Sequence, residues 1–195
     1  SHRRWSAEGA LTFSLLLQID PRALPAERQS LIALTTGLAI GAALEPLVPG
    51  VPVGLKWPND VLLGGRKAAG LLVDAGWEGE RLLYAVLGIG VNVLAGSAPP
   101  DESVEFPATS LEHALGRPVD RGTLLLTTLE SLARWYARQG AAGLREAWWQ
   151  RMAFRDRRVS VWDGRNEVRG RLTGVDAAGG VILVLDSGER ATVGA

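Results

Sequence analysis

Gly54-Leu-Lys56-Trp57-Pro58-Asn59-Asp60-Val-Leu-Leu-Gly64-Gly65-Arg66-Lys67-Ala-Ala-Gly70 is the stretch on which the fold turns. Val53 to Trp57 reads as a short strand broken at Pro58, and Gly64-Gly65 is a turn that sends the chain back as a long strand from Lys67 to Trp77. A second reversal at Glu78-Gly79-Glu80 leads into Arg81 to Val93, so two long apolar strands lie side by side and antiparallel. Gly70, Gly88 and Gly90 interrupt these strands, and glycine weakens a strand unless a ligand or another backbone must come close to it. The stretch also holds Lys56 and Lys67, the only two lysines among 21 Lys and Arg residues. An ammonium is a compact point charge tuned by burial, which a guanidinium is not. The plain alternatives are chance clustering and two snorkelling surface lysines.

Toward the N-terminus, Leu11, Phe13, Leu15, Leu17 and Ile19 recur at period two opposite Thr12, Ser14 and Gln18, the pattern of a strand with one apolar face. Pro25 suits the first turn of a helix in which Leu31, Leu34, Leu38 and Ala42 recur until Pro46 and Pro49 stop it. Toward the C-terminus, a loop from Gly96 to Pro107 precedes Thr109-Ser110-Leu111-Glu112, read as a capping box whose short helix Gly116 closes. Asp120 caps a helix running through Leu124, Leu125, Leu129, Leu132 and Trp135 to Gly140, and Leu144 to Met152 gives the last one, with Trp148 and Trp149 as packing residues. From Phe154 onward, short Val- and Leu-rich strands alternate with Asp163-Gly164, Ala178-Gly179-Gly180 and Ser187-Gly188 turns, which makes a small barrel-like β appendage. Its simplest role is stabilisation or an interface, without chemistry.

With 195 residues the chain holds one principal core and at most one small appendage. Its formal net charge is zero, which does not favour nucleic acid or an anionic membrane, and Arg3-Arg4 and Arg155, Arg157 and Arg158 read as solvated faces. No Cys is present, which excludes disulfides, thiolate catalysis and Cys metal sites. His2 and His113 stand far apart without a carboxylate pattern, so neither a zinc site nor a Ser-His-Asp triad is supported. No apolar run approaches the roughly 20 residues that span a membrane. Without an initiator Met or a signal peptide, the first residues read as a cloning remnant or the stump of a longer protein.

Two phosphate-binding patterns fail on inspection. Gly64-Gly65-Arg66-Lys67 lacks the Gly-Lys-Ser/Thr order of a P-loop, and Gly88-Ile89-Gly90-Val91-Asn92-Val93 has Val93 where a dinucleotide fingerprint needs its third Gly. What remains is a sheet whose glycines admit a ligand, lined by two lysines, Asp60, Asn59 and Asn92. Those residue types suit the joining of a carboxylate to a nucleoside triphosphate, where two anions meet and negative charge builds on phosphorus. Lys67 can supply a fixed cation, Asp60 can help hold Mg²⁺, and the two Asn can contact a purine, ribose or phosphate.

At these residues the chain resembles the biotin protein ligases. Lys56-Trp-Pro-Asn-Asp60, Arg66-Lys67-Ala-Ala-Gly70-Leu-Leu-Val, Gly88-Ile-Gly90-Val91-Asn92-Val and Ala108-Thr-Ser-Leu111 match that family's motifs in order and spacing, and the likeness extends over nearly the whole chain. The resemblance implies an α+β fold, with a mixed, largely antiparallel sheet and helices packed on one side (class II synthetase-like biotin/lipoate ligase fold), followed by a small SH3-like β-barrel. It implies a catalytic domain over 1–153 and the SH3-like domain over 154–195. The implied reaction takes biotin and ATP to biotinyl-5′-AMP and then passes biotin to a lysine of a biotin carboxyl carrier protein in the cytoplasm. Lys67 would be catalytic and touch biotin together with Gly70, Leu72 and Gly88. Trp5, Lys56, Asn59, Asp60, Val91 and Asn92 would serve the nucleotide, Asp60 also the metal. Phe13 stands open between a wall for the biotin ring and plain core, and Lys56 between a nucleotide-side residue and a structural cation.

The family's Gly-Arg-rich loop before the position of Trp5 and its upstream Ser-Thr-Asn segment are not in this sequence. The catalytic domain is therefore expected to be N-terminally incomplete, and the chain to stop about where the last short strand would begin. Three other readings are a lipoate or octanoate ligase-like transferase, a biotinyl-AMP-binding repressor that needs an upstream DNA-binding domain, and an inactive ligase fragment. Exposed strand edges would serve the carrier protein or a second subunit in a homodimer.

Overall fold

A computed structural model describes residues 8–18, 30–79, 81–104, 106–137 and 143–194. Five strands, β1 (Ala10–Gln18), β2 (Val53–Lys56), β3 (Asp60–Leu63), β4 (Arg66–Glu78) and β5 (Arg81–Asn92), form one sheet in the order β1-β5-β4-β3-β2. Every neighbouring pair is antiparallel. The Gly64-Gly65 turn joins β3 to β4, both residues at positive φ, so the expected reversal is there. The strand before it was not expected: all four residues of β3 are buried, and a fully buried strand carries no alternation by which to recognise it.

One face of the sheet is covered by helices. α1 (Ser30–Leu44) is apolar nearly all round, and Leu34, Leu38 and Ile40 are enclosed in a core with Leu71, Leu87, Ile89 and Val91. α3 (Arg121–Ala137) packs on α1, and α4 (Leu144–Arg151) adds Trp148, whose indole Nε1 donates to the Leu34 carbonyl at 2.9 Å. Trp148 is a packing residue, as expected. Asp120 caps α3 through Thr123 N at 2.7 Å. The short helix α2 (Leu111–Leu115) differs in its cap. Ser110, not Thr109, accepts from His113 N, while Glu112 accepts instead from Val119 N at 3.1 Å. Thr109 instead belongs to the segment before the helix, its N donating to the Lys67 carbonyl at 2.8 Å.

The strand period assigns Phe13. On β1, Leu11, Phe13, Leu15 and Leu17 are half-buried against the helix-covered core, while Thr12, Ser14, Leu16 and Gln18 are exposed. Phe13 is core. Ile19, Pro25, Gly140 and Trp5 lie outside the described residues.

A second antiparallel sheet contains β6 (Arg158–Trp162), β7 (Glu167–Val175), β8 (Val181–Val184) and β9 (Arg190–Val193) in sequential order. Its turns fall at the Gly-containing pairs expected, and four short strands are compatible with an SH3-like module. Leu172, Val175, Val181, Leu183 and Val193 belong to the same hydrophobic cluster as the first sheet. The connection between the two is zipped to the edge strand β2 by Ala153 N donating to the Leu55 carbonyl at 2.8 Å.

Candidate functional site

The face of the first sheet opposite the helices is built from rows of cross-strand partners. Thr12, Gly90, Gly70 and Asp60 form one row, and Ser14, Gly88 and Leu72 the next. In both rows the central position is glycine, so the middle of the sheet carries no side chain; Gly88 is half-buried, and Gly70 and Gly90 are buried. Beside it Leu72 and Leu16 stand out with 69% and 67% of their surface exposed. A methyl at Gly88 would meet nothing nearer than Leu72 Cβ at 3.7 Å. That surface is open to a flat, partly apolar ligand.

Polar chemistry gathers at one end of this face. Lys56 and Asp60 are direct partners across the β2–β3 hairpin, with Lys56 Nζ 3.2 Å from Asp60 Oδ2. Lys67 Nζ lies 2.5 Å from Asp60 Oδ1, an ion contact without hydrogen-bond alignment. Asp60 is 7% exposed, so its carboxylate is held inside by the two ammonium groups. Two ammonium groups against one carboxylate leave one formal positive charge, and both lysines are partly exposed to whatever enters.

Gly70 lies three positions after Lys67, an odd spacing that in a regular strand puts them on opposite faces. A β-bulge shifts the register of β3 on β4, so that Val61 pairs with Ala69 but Leu62 with Lys67, leaving Ala68 as the extra residue. Leu62 is two residues from Asp60, and Lys67 therefore joins the face of Asp60 and Gly70. Its backbone is pinned as well. Lys67 N donates to the Pro107 carbonyl and the Lys67 carbonyl accepts from Thr109 N, each at 2.8 Å. Asn92 Nδ2 donates to the Thr109 carbonyl at 3.0 Å, and Arg66 fastens the same loop through the Ala108 carbonyl and Asp101.

Of the residues expected at the site, Lys56, Asn59, Asp60, Lys67, Gly70, Leu72, Gly88 and Asn92 come together. Asn59 braces the hairpin, with Nδ2 on the Leu71 carbonyl at 2.8 Å. Val91 does not join them: it is fully buried on the helix side, paired in register with Leu11 and Ala69. Sequence reasoning missed Phe106, whose ring lies 5.3 Å from Lys56 Nζ and meets Phe154 edge to face. It missed Trp57 as well, whose Nε1 donates to the Gly179 carbonyl at 3.0 Å. Phe106 sits in an aperiodic loop and carries no patterning signal; Trp57 stands inside the Lys56–Asp60 motif, but in a three-residue turn where no period assigns its side chain a partner.

Residues 2–92 match the profile of the Biotin/lipoate A/B protein ligase family. The chain is 35% identical over 189 residues to the biotin--[acetyl-CoA-carboxylase] ligase of Paracoccus denitrificans, covering 93% of this chain and 77% of that protein. This chain belongs to the biotin protein ligase family. The bifunctional ligase/repressor BirA of Bacillus subtilis is 32% identical over 154 residues, of which the match covers only 45% of its length. Among solved structures, the apo biotin protein ligase of Aquifex aeolicus superposes with a TM-score of 0.80 at 26% identity, covering 95% of this chain and 79% of that one. The same enzyme in complex with biotin and ATP gives 0.78 over 95% and 75%.

If the glycine rows of this ligase are cleared for a ligand rather than for packing, Gly88→Ala will leave the thermal midpoint within about 3 °C of wild type. A drop of about 10 °C or more would show that the row is filled by the protein itself.

Proposed function

We propose that this chain activates biotin with ATP as biotinyl-5′-AMP and then transfers biotin to a lysine of a biotin carboxyl carrier protein. The observation that carries this reading is the pair of lysines converging on Asp60 at the end of a glycine-cleared sheet face. In the first step a biotin carboxylate oxygen bonds to the α-phosphorus while the bond to the bridging oxygen breaks and pyrophosphate leaves. In the second the acceptor amine attacks the acyl carbon, an amide forms, and AMP departs.

Gly70, Leu72 and Gly88 lie under the biotin in this reading. Lys67 bridges its carboxylate and the α-phosphate, neutralising charge where two anions meet. Lys56, Asn59, Asp60 and Asn92 serve the nucleotide side. A magnesium ion fits the donor set in one way only. Among the described residues no group of three His, Cys, Asp or Glu gathers; Asp60 is the carboxylate expected for the metal, and because Lys67 Nζ already lies 2.5 Å from its buried Oδ1, magnesium would reach that oxygen only by displacing the ammonium. Magnesium commonly takes one or two carboxylates and completes its octahedron from phosphate oxygens and water. Bound there, it would offset charge on the phosphates.

For function we divide the chain into a catalytic unit, 1–153, and an SH3-like unit, 154–195. No helix among the described residues is long and apolar enough to cross a membrane. With ATP as substrate, the cytoplasm is the compartment we assign. A homodimer is favoured by the outer edge of β1, against which no strand pairs among the described residues, whereas β2 is closed by Met152 and Ala153. Sedimentation should therefore show a doubled mass once biotin and ATP are added; an unchanged monomer overturns the dimer.

Lys67→Ala is expected to lower the rate of biotinyl-AMP formation, followed as pyrophosphate release, by about 10²- to 10³-fold. Circular dichroism should be unaltered, because Lys67 is held by its backbone as much as by its ammonium. An unchanged rate in this variant defeats the role of Lys67.

A further inference from the structure

The hairpin turn Trp57-Pro58-Asn59 is flanked by Lys56 and Asp60, so the position of that ion pair is set by the turn. The turn is gripped on two sides. Asn59 faces β4, exchanging hydrogen bonds with Leu71 through its side-chain Nδ2 at 2.8 Å and its carbonyl at 3.0 Å. Trp57 reaches in the other direction, out of the first sheet altogether, to the Gly179 carbonyl of the β7–β8 turn.

That carbonyl is held in place. Asp176 Oδ1 accepts from both Ala178 N and Gly180 N at 2.8 Å, and Asp176 N donates to the Gly180 carbonyl. Gly179 takes a φ of 92°, and a side chain at Gly180 would strike the Val193 carbonyl at 2.9 Å. The turn is shaped by residues that only this tight geometry explains, and it presents the Gly179 carbonyl to the indole.

We propose that Trp57 is a positioning residue of the adenylation site, through which the Asp176–Gly180 turn of the C-terminal module fixes the Lys56–Asp60 pair against the nucleotide. The module thereby takes part in the chemistry of the first step and is more than a stabilising appendage. The inference rests on the adenylation reading above. It separates the two substrates by their route to Trp57: Lys56 adjoins Trp57 in the chain and pairs with Asp60, whereas the biotin surface of Gly70, Gly88 and Leu72 lies on β4 and β5 and meets the hairpin through Asn59 on Leu71 and Asp60 on Gly70, contacts that the Trp57 indole does not make.

The test is steady-state adenylation by the full chain with Trp57→Phe, Asp176→Ala and the double variant, varying ATP and biotin separately. Trp57→Phe keeps an aromatic ring and removes the N–H donor. A hydrogen bond of ordinary net strength corresponds to about a 2- to 10-fold change, expected as a raised KM for ATP with the KM for biotin unchanged. Asp176→Ala, which loosens the turn without altering either lysine, should reproduce that pattern, and the double variant should be no worse than the stronger single one. An unchanged KM for ATP, an equal rise for both substrates, or fully additive effects would each overturn the proposal. Should Trp57→Phe fail to fold, Asp176→Ala carries the same expectation alone. A wild-type chain that makes no biotinyl-AMP defeats the adenylation reading instead, which distinguishes the two failures.

Discussion

A buried carboxylate bearing two ammonium groups is the interaction on which the rest of this site depends. Removing Asp60 from water is unfavourable unless its charge is met, and Lys56 and Lys67 meet it from two different strands. The surplus of one formal positive charge, on lysines that are partly exposed at this face, is a standing attraction for an anion. A triphosphate and a carboxylate brought together supply that anion in excess. The same three residues thus explain both why the β2–β3–β4 corner has one arrangement and why its chemistry suits joining two anions.

The sheet serves that corner through small irregularities. Without the bulge at Ala68, Lys67 would point into the helix-covered core, and the carboxylate would keep only Lys56. Without glycine at positions 70, 88 and 90, side chains would occupy the surface beside the ion cluster. The 107–109 segment then locks Lys67 from the outside, with Asn92 and Arg66 as its fasteners. Rigid backbone on both flanks of a cation is what electrostatic preorganisation requires.

Much of this was legible in the sequence where residues carry a period or a rare type. The alternation of β1, the glycine-punctuated strands β4 and β5, the helices and the turns of the second sheet were all read from pattern. The two lysines were singled out by their scarcity. What was hidden had no such marker. β3 is buried throughout and does not alternate. The bulge leaves no trace in composition, so the shared face of Lys67 and Gly70 followed from the register alone. Val91 stands beside Asn92 in the motif that carries the resemblance, yet consecutive strand residues face opposite ways, and its side chain lies in the helix-covered core. Thr109 and Ser110 are both cap-forming residue types, and only the structure shows that Ser110 takes the cap while the Thr109 amide pairs with Lys67. The link from Trp57 to Gly179 joins residues 122 positions apart, beyond the reach of any local rule.

The most direct measurement is a crystal structure of this chain with biotin and a non-hydrolysable ATP analogue. The ring of biotin should lie on the row of Ser14, Gly88 and Leu72, with the α-phosphate within hydrogen-bonding distance of Lys67 Nζ and Asp60 still buried beneath. Biotin seated elsewhere, or an α-phosphate remote from both lysines, would contradict the central role of the Lys56–Asp60–Lys67 cluster.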